Sequence, residues 1–277
     1  MTDFIPFIKA LILGIVEGLT EFLPISSTGH LIIVGDLLDQ VLGGGGAEQD
    51  KVFKIVIQLG AILAVCWFYR ARLIRVARGI RTRPTERRFA FNIIIAFLPA
   101  MVAGVLFHDV IKTYLFSPLT VAGALIIGGF VILYIEHQPP RRRVRHIDDL
   151  STAIAFKVGL AQTLALFPGV SRAGATIMGG VVFGLSRQVA TELSFFLAIP
   201  TMLAATAYDV FQARDLLTSD AIPLFAVGFI AAFISAALTI KTLLHYVANH
   251  DFVIFAWYRI GFGVLVLFTA LTGLITW

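Results

Sequence analysis

Glu17-Gly-Leu-Thr-Glu21-Phe-Leu-Pro24-Ile-Ser26-Ser27-Thr28-Gly29-His30 is the stretch on which the fold turns. It interrupts an apolar run of about Phe4–Leu42 with carboxylates, hydroxyls, a proline and an imidazole. A charge inside a bilayer costs on the order of 2.5–3.5 kcal/mol even on the lenient scale, so a cluster placed there points to binding or chemistry. A second interruption, Phe167-Pro168-Gly169-Val170-Ser171-Arg172-Ala173-Gly174-Ala175-Thr176, falls within the apolar region of about Ser151–Leu185. Both regions read as re-entrant hairpins of two half-helices.

The rest of the chain has the composition of a protein dissolved in lipid. Its 277 residues are 58% hydrophobic and 14% charged, with a mean hydropathy of +0.89, against roughly 45–50% apolar residues in soluble domains. A soluble fold and a disordered chain are excluded. The net charge of +5 does not mark a nucleic-acid binder, because the arginines sit in short segments between apolar runs rather than along a groove-sized face. Cys66, the single cysteine, lies inside an apolar run and leaves no disulfide framework. No cleaved signal peptide is expected, since Lys9 stands within the first apolar run and no small-residue cleavage site follows a basic leader.

Six stretches are long enough to cross a ~30 Å hydrocarbon core: about Val52–Tyr69, Phe89–Phe107, Pro118–Glu136, Val189–Val210, Ile222–Tyr246 and Phe252–Trp277. The segment between the first two carries Arg70, Arg72, Arg75, Arg78, Arg81, Arg83, Arg87 and Arg88, and the segment after Glu136 carries Arg141, Arg142, Arg143 and Arg145. The positive-inside rule makes both cytoplasmic loops, and two crossings separate them, as the count requires. Gly43–Lys51, His108–Ser117 and Gln212–Ala221 then lie outside, as do both termini if the first hairpin is re-entrant. Trp67, Trp257 and Trp277 read as interfacial anchors. Gly43–Gly46 lacks the Lys-Ser/Thr of a phosphate-binding loop and reads as a flexible outer loop.

Sliding the chain on itself by 145 residues matches Gly14 with Gly159, Leu19 with Leu164, Phe22 with Phe167, Ser26 with Ser171, Gly29 with Gly174 and Ile32 with Ile177, and sets Glu17 on Gln162. The alternative is chance likeness of two apolar stretches. As a repeat, it divides one integral membrane domain into about 1–136 and about 151–277, joined by a cytoplasmic linker of about 137–150. One hairpin plus three crossings per half is an odd number of passages, so the second half is inverted and the two breaks meet near the midplane. The expected fold is all-α and polytopic, with inverted repeats, six transmembrane helices and two re-entrant hairpins.

Glu17 and Glu21 share a helix face at i and i+4. Their mutual repulsion calls for a shared proton or a cation, which suits general acid/base work or Mg²⁺ on phosphate; the competing reading is an interfacial pair facing water. Ser26, Ser27, Thr28 and His30 supply hydroxyls, half-helix N–H groups and an imidazole near Ser27, a nucleophile-and-base pattern that also reads as an N-cap cluster. Arg172 between Ser171 and Thr176 suits bidentate phosphate binding, or else a salt bridge to Glu17 or Glu21. Gln58 and Glu192 read as locally paired, Glu192 with Arg187 or Gln188.

EGLTEFLPISSTGH over Glu17–His30 and PGVSRAGAT over Pro168–Thr176 resemble the two signature motifs of the undecaprenyl-diphosphatase family, called BacA or UppP. The likeness extends through Leu106-Phe-His-Asp109 and Ile222-Pro-Leu-Phe-Ala-Val-Gly228 over nearly the whole chain. It implies a hydrolase of the bacterial cytoplasmic membrane that removes the terminal phosphate of undecaprenyl diphosphate, so that the monophosphate carrier is reused in peptidoglycan synthesis, with bacitracin resistance on overproduction. It also implies a divalent cation, Mg²⁺ or Ca²⁺, and a site open to the outer side. Carried over by position, Glu17 and Glu21 are the acidic pair and metal ligands. Ser27, His30, Glu21, Glu17 and Arg172 are catalytic, and Ser26 and Thr28 bind the substrate phosphate. Ser171, Arg172, Gly174 and Thr176 bind phosphate. Ala173 departs from the family pattern, which has serine after the arginine.

On this reading the partners are the polyprenyl diphosphate and membrane lipids, with no nucleic acid and with room for a homodimer. Ser27 attacks phosphorus and His30 takes its proton; His30 itself or a metal-bound water are alternative nucleophiles. The rival class is a transporter of a phosphorylated polyprenyl lipid, since inverted repeats with broken hairpins also build transporters.

Overall fold

In the computed structural model, residues 4–42, 47–111, 115, 117–138, 144–212 and 221–275 are described, side chains excepted at 47–51 and 108–110. The glycine run Gly43–Gly46, Arg141–Arg143, Trp277 and nearly all of the loop between Gln212 and Ala221 lie outside these residues. The described residues form eleven helices: α1 Ile5–Thr20, α2 Ser27–Leu42, α3 Ala47–Phe68, α4 Arg70–Gly79, α5 Pro84–Val110, α6 Pro118–His137, α7 Thr152–Thr163, α8 Arg172–Val182, α9 Arg187–Gln212, α10 Ile222–Asn249 and α11 Val253–Thr272. Five of these, α5, α6, α9, α10 and α11, are long and apolar enough to cross a membrane, and α3 with α4 makes a sixth that bends by 71°. The chain is a polytopic membrane protein, as its hydropathy requires.

One expectation is corrected here. The arginine-rich segment after Tyr69 is not a plain loop, because Arg70–Gly79 is a helix. A helix lying across the end of a span keeps its charges in water while its backbone stays hydrogen-bonded, so charge alone did not distinguish it from a loop.

Both hairpins break where their sequence denies the helix its next turn. Pro24 follows α1, Ile25 N–H closes on Leu23 O at 2.8 Å, and Ser26 turns to φ 70°. In the second hairpin Phe167-Pro168-Gly169-Val170 forms a turn closed by Val170 N–H on Phe167 O at 3.2 Å, with Gly169 at φ 92°. Proline followed by a glycine of positive φ is the requirement of a type II turn. Ser171 then turns to φ 73°; Ser26 and Ser171, one repeat apart, are the only described non-glycine residues with positive φ.

The hairpins open toward opposite ends of the bundle. Lys9 Nζ donates to Asp39 Oδ1 at 2.7 Å and Gln40 Nε2 to Leu274 O at 2.8 Å, which ties the mouth of α1–α2 to the end of α11. The mouth of α7–α8 is at the other end, where Val144 bridges to Leu185. Arginines of the 70–88 segment fasten to that second end, with Arg72 paired to Asp148 and Arg88 bonded to its carbonyl. Arg187 is bound there by Glu136, whose Oε1 also accepts from Phe252 N–H at 3.2 Å; this replaces the expected local pairing of Arg187 with Glu192.

Small residues let these helices approach closely. Gly14 and Gly18 of α1 face Gly228, Ala231, Ala232 and Ser235 of α10, where any Cβ on either glycine would collide with α10. Such seams replace the hydrophobic drive that is missing between helices in lipid. The most enclosed span is α9, with 61% of its apolar window buried against 22–33% for the other four. Its Phe195 and Leu197 join Phe22, Ile177 and Ala173 in the central apolar cluster, beneath the meeting point of the two breaks.

Candidate active site

The end of α1 carries the acidic pair. Glu21 keeps helical backbone angles and its N–H reaches Glu17 O at 2.9 Å, so both carboxylates stay on one face. They are 2% and 9% exposed. Across the break, Ser27 opens α2 and its Oγ donates to Glu21 Oε2 at 2.5 Å. From the second break, Arg172 opens α8 and its Nη2 donates to Glu21 Oε1 at 3.4 Å. Glu21 therefore joins a hydroxyl from its own hairpin to a guanidinium from the other.

Arg172 is held from behind. Its Nη1 donates to Ser194 O at 2.9 Å and lies 3.3 Å from Ser194 Oγ, while Thr176 Oγ1 stands 2.7 Å from that hydroxyl and 2.9 Å from Arg172 O. At this junction two buried polar atoms have no partner among the described residues, Arg172 Nε and Glu17 Oε2. A buried donor left unpaired costs about 1–3 kcal/mol, which a phosphate oxygen would recover. The helices α2 and α8 also begin at this point, and first-turn N–H groups with their partial positive charge favour an anion. Ser171 Oγ already caps Gly174 N–H at 3.1 Å and reaches Leu23 O at 3.4 Å, so it joins the two breaks.

His30 is placed otherwise than its neighbourhood in sequence predicts. Its Nδ1 lies 2.7 Å from Ser26 O, which can only accept, so Nδ1 carries the proton. Nε2 then accepts from Tyr258 Oη at 2.6 Å. The ring stacks on Phe262 with centroids 3.9 Å apart. With both nitrogens engaged, His30 positions the Ser26 turn, and the acceptor beside Ser27 is Glu21.

Arg259 of α11 is 1% exposed and bonds no carboxylate. It donates to Pro24 O at 3.0 Å and Val170 O at 2.9 Å from Nη1, to Ala124 O at 3.0 Å and Gly169 O at 3.2 Å from Nη2, and to Leu125 O at 3.3 Å from Nε. One guanidinium thus clasps the carbonyls that both unwound segments leave free, which lipid would not satisfy. Sequence reading passed over it, although a lone charge in the Phe252–Trp277 span was the signal.

Of the residues singled out in the sequence, Glu17, Glu21, Ser27, Arg172 and the start of α2 are brought together. Thr176 is fully buried with its hydroxyl occupied, so it supports Arg172 through Ser194 instead of facing a phosphate. Thr28 is half-buried beside Ser27. Ala173 is fully buried in the apolar cluster, so a serine hydroxyl there would point into the core and away from Glu21.

The carboxylates that a divalent cation would use here are Glu17 and Glu21. Glu21 is paired with Arg172, and the neighbouring Glu17 has Oε2 without a partner. Mg²⁺ sites commonly use one or two carboxylates with phosphate oxygens completing the shell. Among the described residues no cluster of three acidic, histidine or cysteine ligands forms a separate cage.

The family model for bacitracin resistance protein BacA matches residues 10–265. The chain is 57% identical over 275 residues to an undecaprenyl-diphosphatase of Nitrosospira multiformis, with 99% of each chain covered. It is 58% identical over 275 residues to one of Nitrosomonas eutropha, covering 99% of this chain and 98% of that one. With an undecaprenyl-diphosphatase of Ectopseudomonas mendocina the identity is 55% over 269 residues, 97% of this chain and 96% of the relative.

Proposed function

The chain belongs to the bacitracin resistance protein BacA family, and from that premise we propose that it is an undecaprenyl-diphosphatase of the bacterial cytoplasmic membrane. It removes the terminal phosphate of undecaprenyl diphosphate and returns the monophosphate carrier to peptidoglycan synthesis, which also underlies bacitracin resistance. The observation that carries the chemistry is the junction of Arg172, Glu21 and Ser27 across the two breaks.

Ser27 Oγ attacks the terminal phosphorus in line while Glu21 takes its proton, over the 2.5 Å bond that already joins them. The bridging P–O bond breaks and undecaprenyl phosphate leaves. Water then attacks phospho-Ser27, Glu21 returns the proton to Ser27 Oγ, and inorganic phosphate departs. Arg172, with its free Nε, and the N–H groups of α2 hold the phosphate oxygens where charge develops. Glu17 and Glu21 would hold Mg²⁺ or Ca²⁺, which when bound supplies a Lewis acid toward the phosphate. A carrier of the same lipid needs Arg172 but has no use for a hydroxyl held on a carboxylate.

The arginine-rich end faces the cytoplasm, a reading supported by the exposed arginines of the 70–88 segment, two of which fasten to Asp148. The first hairpin and both termini then lie on the outer side, and the site opens outward between the hairpins.

The test is inorganic phosphate release from a polyprenyl diphosphate by purified protein in detergent, with Mg²⁺, Ca²⁺ or EDTA, beside Arg172→Ala. Cation-dependent release that falls at least about a hundredfold in Arg172→Ala is expected. Folded wild-type protein that binds the lipid and releases nothing under any cation would overturn the reading.

A further inference from the structure

The bend after α3 makes a second place where an anion is drawn to the bundle, far from the hairpin breaks in sequence. Between two spans, α4 turns 71° away from α3 and lies across the end of the molecule. One of its faces, continued into the turn that follows, lines a cavity of about 350 Å³ bordered by Ala71, Ile74, Arg75, Arg78, Thr82 and Arg83. The spacing of 71, 74, 75 and 78 is that of a single helical face of α4.

The arginines of this segment divide into two groups. Arg72 is occupied by Asp148 and Glu86 and lies over the Phe89 ring, Arg88 holds the Asp148 carbonyl, and Arg70 covers Trp67. Arg75, Arg78 and Arg83 are exposed and have no acidic partner among the described residues. The two groups differ in purpose, because the first fastens the bundle end and the second leaves its charge directed into a cavity. Ile74, 49% exposed, lines the same cavity, and Trp67, 59% exposed, marks the level of the interface at the end of α3. Apolar surface toward the bilayer and guanidinium groups beside it fit a phosphate that carries acyl chains better than a free phosphate ion.

We propose that the cavity along α4 and the turn that follows it is a binding site for the headgroup of an anionic phospholipid, with Arg75, Arg78 and Arg83 on the phosphate and Ile74 against the glycerol and acyl carbons. The site is independent of the phosphatase centre and anchors α4 in the leaflet at the arginine-rich end. Basic residues at a membrane surface contribute about fivefold each to binding an anionic lipid, so the three together give about a hundredfold.

The test is native mass spectrometry of the full chain, released from detergent with phosphatidylglycerol or phosphatidylethanolamine at equal concentration. Wild-type protein is expected to retain phosphatidylglycerol preferentially. Arg75→Gln/Arg78→Gln/Arg83→Gln should weaken that retention about a hundredfold, while Arg81→Gln/Arg87→Gln, which removes exposed arginines outside the cavity, should change it less than about twofold. Phosphate release in detergent reports that each variant is folded; should the triple variant not fold, the three single variants, each expected to lose about fivefold, carry the test. Equal losses in the triple and control variants would mean diffuse surface charge and overturn the proposal. So would undiminished retention by the triple variant, or displacement of the lipid by an equal concentration of inorganic phosphate.

Discussion

At the scale of single residues, Glu21 has the central position because it touches both halves of the site. Its two oxygens divide between Ser27 and Arg172, while Glu17 Oε2 is left without a partner. Tyr258→Phe removes one hydrogen bond from His30 and leaves the stack on Phe262. Turnover is expected to fall about two- to tenfold, the value of ~0.5–1.5 kcal/mol, with KM little changed; kcat and KM measured in detergent check this. Ala173→Ser is expected to leave kcat/KM within about threefold, since the side chain is buried in the core, while an unpaired hydroxyl there lowers stability by about 1–3 kcal/mol. Thermal unfolding beside the kinetics separates the two effects. The motif residues were legible because charges and hydroxyls inside apolar runs stand out. Their partners were not: the link from His30 to Tyr258 spans 228 positions, and the choice of Glu21 over His30 as Ser27's acceptor depends on the turn at Ser26.

At the scale of elements, the account rests on how two unwound segments are held in place. Arg259 supplies five donations to carbonyls from Pro24, Ala124, Leu125, Gly169 and Val170, so both breaks and α6 share one anchor. Lysine has three donors in a different geometry and cannot replace a planar fork. Arg259→Lys is expected to lower stability by about 3 kcal/mol and to reduce turnover with it, measured as thermal unfolding in detergent and as phosphate release. Wild-type turnover at a lowered unfolding temperature would show that the breaks hold their geometry without the clasp. The spans were read within a few residues from length and apolarity alone, as with Pro118–Glu136 against Pro118–His137 in the structure. The helix α4 was missed because a run of arginines carries the same composition in an interfacial helix as in a loop.

For the molecule as a whole, hairpins that enter from opposite ends bring two helix N-termini, two carboxylates and an arginine together inside a membrane protein. The two breaks lie 145 residues apart in sequence, and Ser26 and Ser171 both have positive φ. Which groups would finally touch depended on packing along the α1–α10 and α7–α8 seams, where glycine and alanine contacts carry no chemical signature in sequence. In the proposed mechanism Ser27, activated by Glu21, becomes phosphorylated at this junction. That step is tested most directly by acid-quenching purified protein during turnover of a polyprenyl diphosphate labelled in its terminal phosphate. The account predicts label on Ser27 in the wild type, and in Ser27→Ala neither label nor turnover above about a thousandth of normal. Near-normal phosphate release by Ser27→Ala, or label found on His30, would contradict it.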